Sequence, residues 1–121
     1  MIGYSTFGTN DIERAKAFYD AVLAPLGGRQ VMPMAGGVIY GGGEGAAFGI
    51  TAPFDGQPAS AGNGAMVALR ARDAATVQAV YDKAMALGAT CEGPPGERGA
   101  GRQAAYFRDL DGNKLCVFAM G

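Results

Sequence analysis

Apolar residues recur at every third or fourth position in two segments of the chain, and this spacing is typical of amphipathic helices. Segment 11–27 is predicted to turn inward Ile12, Ala15, Phe18, Tyr19, Val22, Leu23 and Leu26. Asn10 is its predicted N-cap, because Glu13 follows three residues later as in a capping box. Segment 73–88 is predicted to start at an Asp73 cap and to turn inward Val77, Val80, Tyr81, Ala84 and Leu87.

The two helical segments belong to a repeated unit. At an offset of 62 residues, Tyr19 aligns with Tyr81 and the strand-like stretch 4–7 aligns with 66–69. Each helical segment is followed by three short apolar stretches bounded by turn residues, and such stretches are typical of strands. These predicted strands are 29–34, 37–40 and 46–51 in the first unit, and 89–92, 103–108 and 114–119 in the second.

The repeat predicts one α+β domain made of two βαβββ modules, residues 1–51 and 64–121, joined by the linker 52–63. A module of about 60 residues buries too little apolar surface to be stable alone, so the two modules are expected to share a core. We expect a curved, incompletely closed, antiparallel-rich sheet with the helices on its convex side. The uncovered concave side would then form a pocket for a small ligand.

Charge and composition exclude several classes of function. Ten basic and eleven acidic residues are spread along the 121-residue chain, without the basic stripe that nucleic-acid binding requires. No apolar run approaches the roughly 18 residues that cross a bilayer, and the first residues lack a signal-peptide pattern. Cys91 and Cys116 are expected to be reduced thiols of a cytoplasmic protein. The chain has no histidine, so it lacks the commonest metal ligand and general base.

The duplicated module resembles that of the vicinal oxygen chelate superfamily, which includes glyoxalase I, extradiol dioxygenases, fosfomycin-resistance transferases and bleomycin-resistance proteins. The resemblance lies in GTNDIERAKAFYDAVLAPLG near the start, LRARDAATV at mid-chain and FRDLDGNKLCVF at the end. It covers essentially the whole chain. Because many members pair through their sheets or exchange modules, the resemblance also implies a homodimer.

In that family each module supplies two metal ligands, one from its first strand and one from its last. Carried over residue by residue, these positions are Tyr4 and Gly49 in the first module and Met66 and Cys116 in the second. The family usually has His, Gln or Glu there. A neutral phenol, a glycine and a thioether are poor ligands for a divalent metal, and one thiolate does not make a site. With these residues at the ligand positions that the resemblance implies, we expect a family member that holds no metal or other cofactor.

The side chains at these positions have more than one interpretation. Cys116 is favoured as a small hydrophobic residue of the sheet. It could also bind Cu(I) together with Met66, or act as a nucleophile whose pKa is lowered by a cation among Arg70, Arg102 and Lys114. Tyr4 and Met66 either line a ligand pocket or fill the space of the former metal.

Segment 92–103 is rich in glycine and is predicted to be a mobile loop at the mouth of the pocket. Arg102 could bind an acidic or phosphorylated ligand and Gln103 could orient it, whereas Arg98 suits a solvated surface equally well. The glycine run 41–45 lacks the lysine and the helix of a phosphate loop. Segment 109–113 lacks the glutamate at the twelfth position of a calcium loop. Both are assigned to turns.

The preferred function is metal-independent binding of a small organic molecule, comparable to that of the bleomycin-resistance proteins. The predicted contacts are Tyr4, Met66, Arg102, Gln103, Tyr106 and Cys116. One alternative is a metal-dependent lyase or isomerase like glyoxalase I, for which Glu44 and Glu92 are the only glutamates near relevant strands. The other alternative is an interaction protein with a filled pocket.

Overall fold

The computed structural model describes residues 1–42 and 45–120, which fold into two modules with the same order of elements. The first consists of β1 (Tyr4–Gly8), α1 (Ile12–Val22), β2 (Arg29–Met34), β3 (Gly37–Gly41) and β4 (Ala47–Thr51). The second consists of β5 (Val67–Arg70), α2 (Ala74–Ala86), β6 (Thr90–Glu97), β7 (Arg102–Arg108) and β8 (Lys114–Met120). The predicted α+β fold of two βαβββ modules is confirmed. Gly43 and Glu44, in the glycine run assigned to a turn, and Gly121 lie outside the described residues.

Each module forms its own four-stranded sheet, in the order β1-β4-β3-β2 and β5-β8-β7-β6. The pairs β1–β4 and β5–β8 are parallel, and the other neighbours are antiparallel. Within the described residues no ladder joins β1 to β5, so the hydrogen bonding divides the predicted sheet in two.

One face of each sheet packs on the helices, and the other face is open. Successive residues of a strand point to opposite faces, and one contiguous core takes the inward set from both sheets together with both helices. Phe48 and Ile50 of β4 and Leu115 and Val117 of β8 belong to this core. The alternate positions define the first open face, with Tyr4, Thr6, Ile39, Ala47 and Gly49. They also define the second open face, with Ala68, Arg70, Arg102, Ala104, Tyr106, Cys116 and Phe118.

The caps of α1 and α2 differ in how well the sequence predicted them. The Asp73 carboxylate accepts from the Thr76 backbone N–H at 2.8 Å, which confirms the predicted cap of α2. Asp11, one residue after the predicted Asn10, caps α1 by accepting from the Arg14 N–H at 3.1 Å. The Asn10 side chain instead bonds both backbone groups of Ala59 in the linker. A long-range contact of this kind leaves no local signal in the sequence.

The helices also differ from the prediction at their ends. α1 stops at Val22, and a 3-10 turn, Ala24–Leu26, follows it because Pro25 lacks the N–H that a longer α-helix needs. The predicted stop, Gly27, ends that turn with φ 76°. At the end of α2, Leu87 is 41% exposed instead of buried. Neither helix of the described chain has the length and apolar character needed to span a bilayer.

Polar side chains connect the turn between β7 and β8 to the first module. The Tyr19 hydroxyl donates to Asp109 Oδ2 at 2.5 Å, and the Thr9 hydroxyl donates to Asp111 Oδ2 at 2.6 Å. The Asn113 amide donates to the carbonyl of Gly8, the last residue of β1, at 2.9 Å. Together with the contact between α1 and α2, these bonds fix the modules relative to each other.

Candidate functional site

The second open face carries a cluster of cationic and aromatic side chains, which we call the basic–aromatic cluster: Arg70, Arg98, Arg102, Tyr106, Lys114 and Phe118. Strand register produces most of it. Arg70 of β5 is paired with Phe118 of β8, and Tyr106 of β7 is paired with Cys116 of β8. Because register partners point to the same face, these side chains are neighbours across the sheet.

Arg102 lies at the centre of the cluster. Its Nη1 donates to the Tyr106 hydroxyl at 3.2 Å, and its Nη2 lies 3.5 Å from Cys116 Sγ. Its guanidinium carbon is 5.4 Å from the centroid of the Phe118 ring, within the range of a cation–π contact. The hydrogen bond with Tyr106 raises the pKa of Arg102 above its usual value, and the nearby Cys116 adds to this effect. The guanidinium is therefore a permanent, positioned positive charge.

Three further cations lie against the two aromatic side chains that Arg102 contacts. The guanidinium carbon of Arg70 lies 5.2 Å from the Phe118 centroid, so both arginines stack on the same ring. The Lys114 ammonium lies 5.6 Å from the Tyr106 centroid. The guanidinium carbon of Arg98 lies 5.8 Å from the same centroid, and its Nη2 donates to the Pro94 carbonyl at 2.6 Å.

The cations of the cluster have no carboxylate partner among the described residues. The ion pairs found there involve Arg14, Lys16, Arg72 and Arg108, and none includes Arg70, Arg98, Arg102 or Lys114. Four of the ten basic residues of a chain with net charge −1 are thus gathered, unneutralised, on one face. This face is suited to a ligand that brings negative charge.

The structure brings together three of the six predicted contact residues, Arg102, Tyr106 and Cys116. Gln103 is not brought to them, since its side chain points to the opposite face of β7 and lines a depression beside Asp73 at the start of α2. Adjacent residues of a strand cannot share a face. The prediction placed Arg102 in the loop and Gln103 at the start of the strand 103–108, so it did not apply this constraint to the pair.

Tyr4 and Met66 also lie apart from the Arg102 group. Tyr4 belongs to the first open face and is 61% exposed. Met66 directly precedes β5 and is 44% exposed. Within the described residues, neither makes a hydrogen bond or ring contact with Arg102 or Tyr106. Both side chains are therefore accessible to solvent in the single chain.

The glycine-rich segment 92–103 is largely strand, which corrects the predicted mobile loop. β6 continues to Glu97 and β7 starts at Arg102, so the connection is four residues long and turns at Gly99, Ala100 and Gly101, all with positive φ. β6 tolerates two prolines because it is an edge strand, where missing N–H donors cost no ladder bond, and its pairing with β7 is interrupted by bulges.

Both cysteines are free thiols with opposite exposure. Cys116 is fully buried, more than the half-buried position that the sequence predicted. Cys91, expected to be a packing residue, is exposed on the edge strand β6.

Four members of the cluster were missing from the predicted contacts: Arg70, Arg98, Lys114 and Phe118. The signal for Arg70 and Phe118 was present in the repeat, because the first and last strands of each module should pair in the same way. That pairing, combined with the alternation around Cys116, places Arg70 beside Phe118.

A cleft of about 360 Å³ lies between the modules, next to the cluster. Its walls include the apolar side chains of Leu23, Leu26, Phe48 and Leu69, and Arg70 is its charged lining residue. This volume lies within the range of small-molecule sites, which begins at roughly 300 Å³. Arg70 therefore belongs both to the cleft and to the basic–aromatic cluster.

Residues 2–117 match the family model of the Glyoxalase/Bleomycin resistance protein/Dioxygenase superfamily. The chain belongs to this superfamily. A glyoxalase/bleomycin resistance protein from Albidiferax ferrireducens T118 is 38% identical, with a TM-score of 0.91 over 100% of this chain and 99% of that one. No curated protein matches the sequence.

Two more distant superfamily structures share the fold. A lactoylglutathione lyase from Agrobacterium tumefaciens is 23% identical, with a TM-score of 0.70 over 98% of this chain and 92% of that one. A glyoxalase-related enzyme from Fulvimarina pelagi is 19% identical, with a TM-score of 0.77 over 98% of this chain and 87% of that one. At such identities the likeness concerns the fold alone.

The first-module positions that correspond to superfamily metal ligands do not fit a divalent metal. Tyr4 presents a phenol, and Gly49 presents no side chain. A Cβ added at Gly49 would lie 2.7 Å from Ile39 Cδ1 and 3.0 Å from Thr6 Cγ2. The first of these distances is shorter than real Cβ contacts, so Ile39 would have to shift before a ligating side chain could occupy this position.

The second-module positions fit a metal no better. Met66 is a thioether, and the Cys116 sulfur faces the Arg102 guanidinium, which would repel a divalent cation. Over residues 1–42 and 45–120, no three His, Cys, Asp or Glu side chains lie close enough together to hold a metal ion. The donor set of this superfamily member therefore disagrees with the family's metal chemistry.

Proposed function

We propose that this superfamily member has lost the family metal site and binds a small organic molecule at the second open face. The observation that supports the proposal best is the contact of 3.5 Å between Arg102 Nη2 and Cys116 Sγ. Cys116 is the single carried-over position with a strong metal-binding side chain, and a fixed organic cation lies directly against it. The positive charge beside Cys116 is thus that of the Arg102 side chain, at a position where the family has a metal ion.

The chemistry of the neighbouring residues also supports the proposal. Tyr106 and Phe118 offer aromatic surface, and the cations offer hydrogen-bond donors. Ligand sites commonly combine apolar walls with a few fixed polar groups, and the cluster and the adjacent cleft have this composition. The alternative function of a metal-dependent lyase or isomerase gains no support from the metal-ligating or basic side chains of the described residues. Glu92 is paired with Arg108, and Glu44 lies outside the described residues.

We propose further that the working form is a homodimer in the cytoplasm. Exposed apolar side chains occur on or beside both open faces, namely Tyr4, Met32, Met66 and Met120. Contiguous apolar surface on a soluble protein marks an interaction surface, and Tyr and Met are enriched in interfaces. A second copy placed over these faces would cover that surface and enclose the ligand. The two free thiols fit a reducing compartment.

The proposal is tested on tag-free protein purified without chelators. We expect no stoichiometric metal by elemental analysis and no rise in Tm on addition of zinc, nickel, manganese or iron(II), because a ligand that prefers the native state must raise Tm. In a screen of small organic compounds by protein NMR, we expect binders that shift amides of β7 and β8. Light scattering on the same sample is expected to give twice the chain mass.

Stoichiometric metal, or stabilisation by any of the four metals, would contradict the loss of the metal site. Binders that perturb only residues away from β5, β7 and β8 would contradict the location. Arg98→Ala is a useful comparison in the screen, because its guanidinium borders Tyr106 but makes no contact with Cys116 in the described structure.

A further inference from the structure

We propose that the ligand of the second open face is an oxyanion, a carboxylate or a phosphate-type group, carried on a compact apolar body, and that Arg70 and Arg102 bind the anionic group. This inference rests on the proposed function and specifies its ligand class. It is carried by the contact of both arginines with the Phe118 ring, by their lack of carboxylate partners among the described residues, and by the cleft with apolar side chains beside Arg70.

The first step is the charge distribution. The guanidinium carbons of Arg70 and Arg102 lie 5.2 and 5.4 Å from the centroid of the Phe118 ring, so two guanidinium groups border the same aromatic ring. Like charges repel unless a counter-ion lies between them or solvent screens them. No described carboxylate forms an ion pair with either group. A bound oxyanion would supply the missing negative charge.

The second step is the orientation of the donors. Arg102 Nη1 and Nη2 are engaged by Tyr106 and Cys116, which hold the plane of the guanidinium in one orientation. Arg70 makes no hydrogen bond to any described residue beyond its strand ladder, so all of its side-chain donors are available to a ligand. Arginine binds carboxylate and phosphate through paired N–H donors, and a fixed guanidinium loses less entropy when it does so.

The third step is the body of the ligand. The cleft that Arg70 lines has apolar side chains in its walls and a volume of about 360 Å³, enough for a ring-sized group. An anion bound at Arg70 can place an attached apolar group in this cleft. The cluster is too small, and the net charge of −1 too balanced, for a polyanion such as nucleic acid.

The test uses the full-length chain labelled with 15N and four probes: benzoate, phenylphosphonate, benzamide as the neutral analogue, and inorganic phosphate as the anion without a body. We expect benzoate or phenylphosphonate to shift the Nε–H signals of Arg70 and Arg102 and the amides of β8. Whichever of benzoate and phenylphosphonate binds more tightly identifies the anionic group as a carboxylate or a phosphate-type group. We expect benzamide and inorganic phosphate to bind at least about tenfold more weakly, since each lacks one half of the recognised chemistry.

Variants connect binding to the two arginines. We expect Arg102→Ala and Arg70→Ala each to weaken binding of the tighter-binding aromatic anion by about tenfold or more. Arg102→Lys should weaken it less, because lysine keeps the positive charge but lacks the paired N–H donors of the guanidinium group. Lys83→Ala removes an equal charge on α2, outside the cluster, and is expected to leave the affinity unchanged. Amide spectra check that each variant is folded. If Arg102→Ala does not fold, the affinities of Arg70→Ala and Arg102→Lys for the anion test the role of the two arginines.

Three results would overturn the inference. Binding of benzamide as tight as that of benzoate, at the same residues, would refute charge recognition while leaving the proposed function standing. Anion shifts that persist in Arg70→Ala and Arg102→Ala would mean non-specific ion binding. Absence of saturable shifts with both aromatic anions up to about 10 mM would exclude the ligand class, since affinity weaker than that is below recognition strength. The compound screen then decides the proposed function separately.

Discussion

At the scale of single residues, the contact between Arg102 and Cys116 is the observation that best supports the proposed metal-free ligand site. The thiol is fully buried, although it lies on a sheet face that the helices do not cover. Neighbouring side chains on the same face shield the sulfur from solvent. Arg102 contacts it, and Ala68 and Tyr106 are the register partners of Cys116. Reactivity of this thiol therefore reports on the position of Arg102.

We predict that a thiol reagent such as DTNB modifies one cysteine per native chain, the exposed Cys91, and both after unfolding. Arg102→Ala should make Cys116 reactive in the native protein, because the reaction requires access to the sulfur. Arg98→Ala is the control and should leave the count at one, since Arg98 does not contact the sulfur. A count of two in the wild-type native protein would contradict the burial of Cys116.

Residue-scale errors of the sequence prediction also have a physical cause. Arg102 and Gln103 were both expected in the pocket, but β7 begins at Arg102 and its alternation sends them to opposite faces. The glycines and prolines of 92–103 predicted a loop because these residues weaken strands in general. Pairing of β6 with β7 overrides that tendency at the sheet edge.

At the scale of elements, the start of α2 was predictable from the sequence because capping is local. The Asp73 carboxylate accepts from both the backbone N–H and the hydroxyl of Thr76, at 2.8 and 2.5 Å. The Thr76 hydroxyl, followed by the Thr76 N–H, lowers the pKa of Asp73 below its usual value. The whole interaction lies within four consecutive residues, 73–76.

The lowered pKa of Asp73 predicts a contribution to stability that depends on acid pH. The ionised carboxylate stabilises the fold above the unfolded-state pKa of about 4, and this contribution is lost as pH falls through the lower folded-state value. We expect the Tm difference between wild type and Asp73→Asn to narrow as pH falls below about 4. Asp73→Ala, which has no cap at any pH, should be less stable than Asp73→Asn throughout. A Tm difference between wild type and Asp73→Asn that stays constant down to acid pH would contradict the role of the ionised Asp73 carboxylate as the cap.

At the scale of the whole molecule, the modules are joined by buried polar groups as well as by the core. Tyr19 of α1 is 1% exposed and its hydroxyl bonds Asp109 in the second module. Burial, reinforced by the charge of Asp109, raises the pKa of Tyr19 well above its usual value. The phenol must therefore stay protonated for this contact to persist.

We predict that Tyr19→Phe lowers the free energy of unfolding at neutral pH by roughly 1.5–3 kcal/mol, the value of a hydrogen bond to a charged group. The protonated phenol contributes fully below the unfolded-state pKa of about 10, and the contribution declines as pH rises above that value. Denaturant unfolding should therefore show the gap between wild type and variant narrowing at alkaline pH. Tyr4→Phe, at a 61% exposed position, should leave the free energy unchanged. A Tyr19→Phe variant equal to wild type at neutral pH would refute the intermodule role.

The sequence by itself determined the duplicated βαβββ plan, the inward faces of most helical positions, the Asp73 cap and the side chains at the carried-over metal positions. These features depend on periodicity, on contacts within a few residues, or on residue identity alone. The tertiary structure alone decided that the sheets are separate, that Asn10 bonds the linker, and that Arg70 and Arg102 both lie against Phe118. Those relations depend on strand register and on the packing of the modules, which join residues distant in sequence, and no local pattern specifies them.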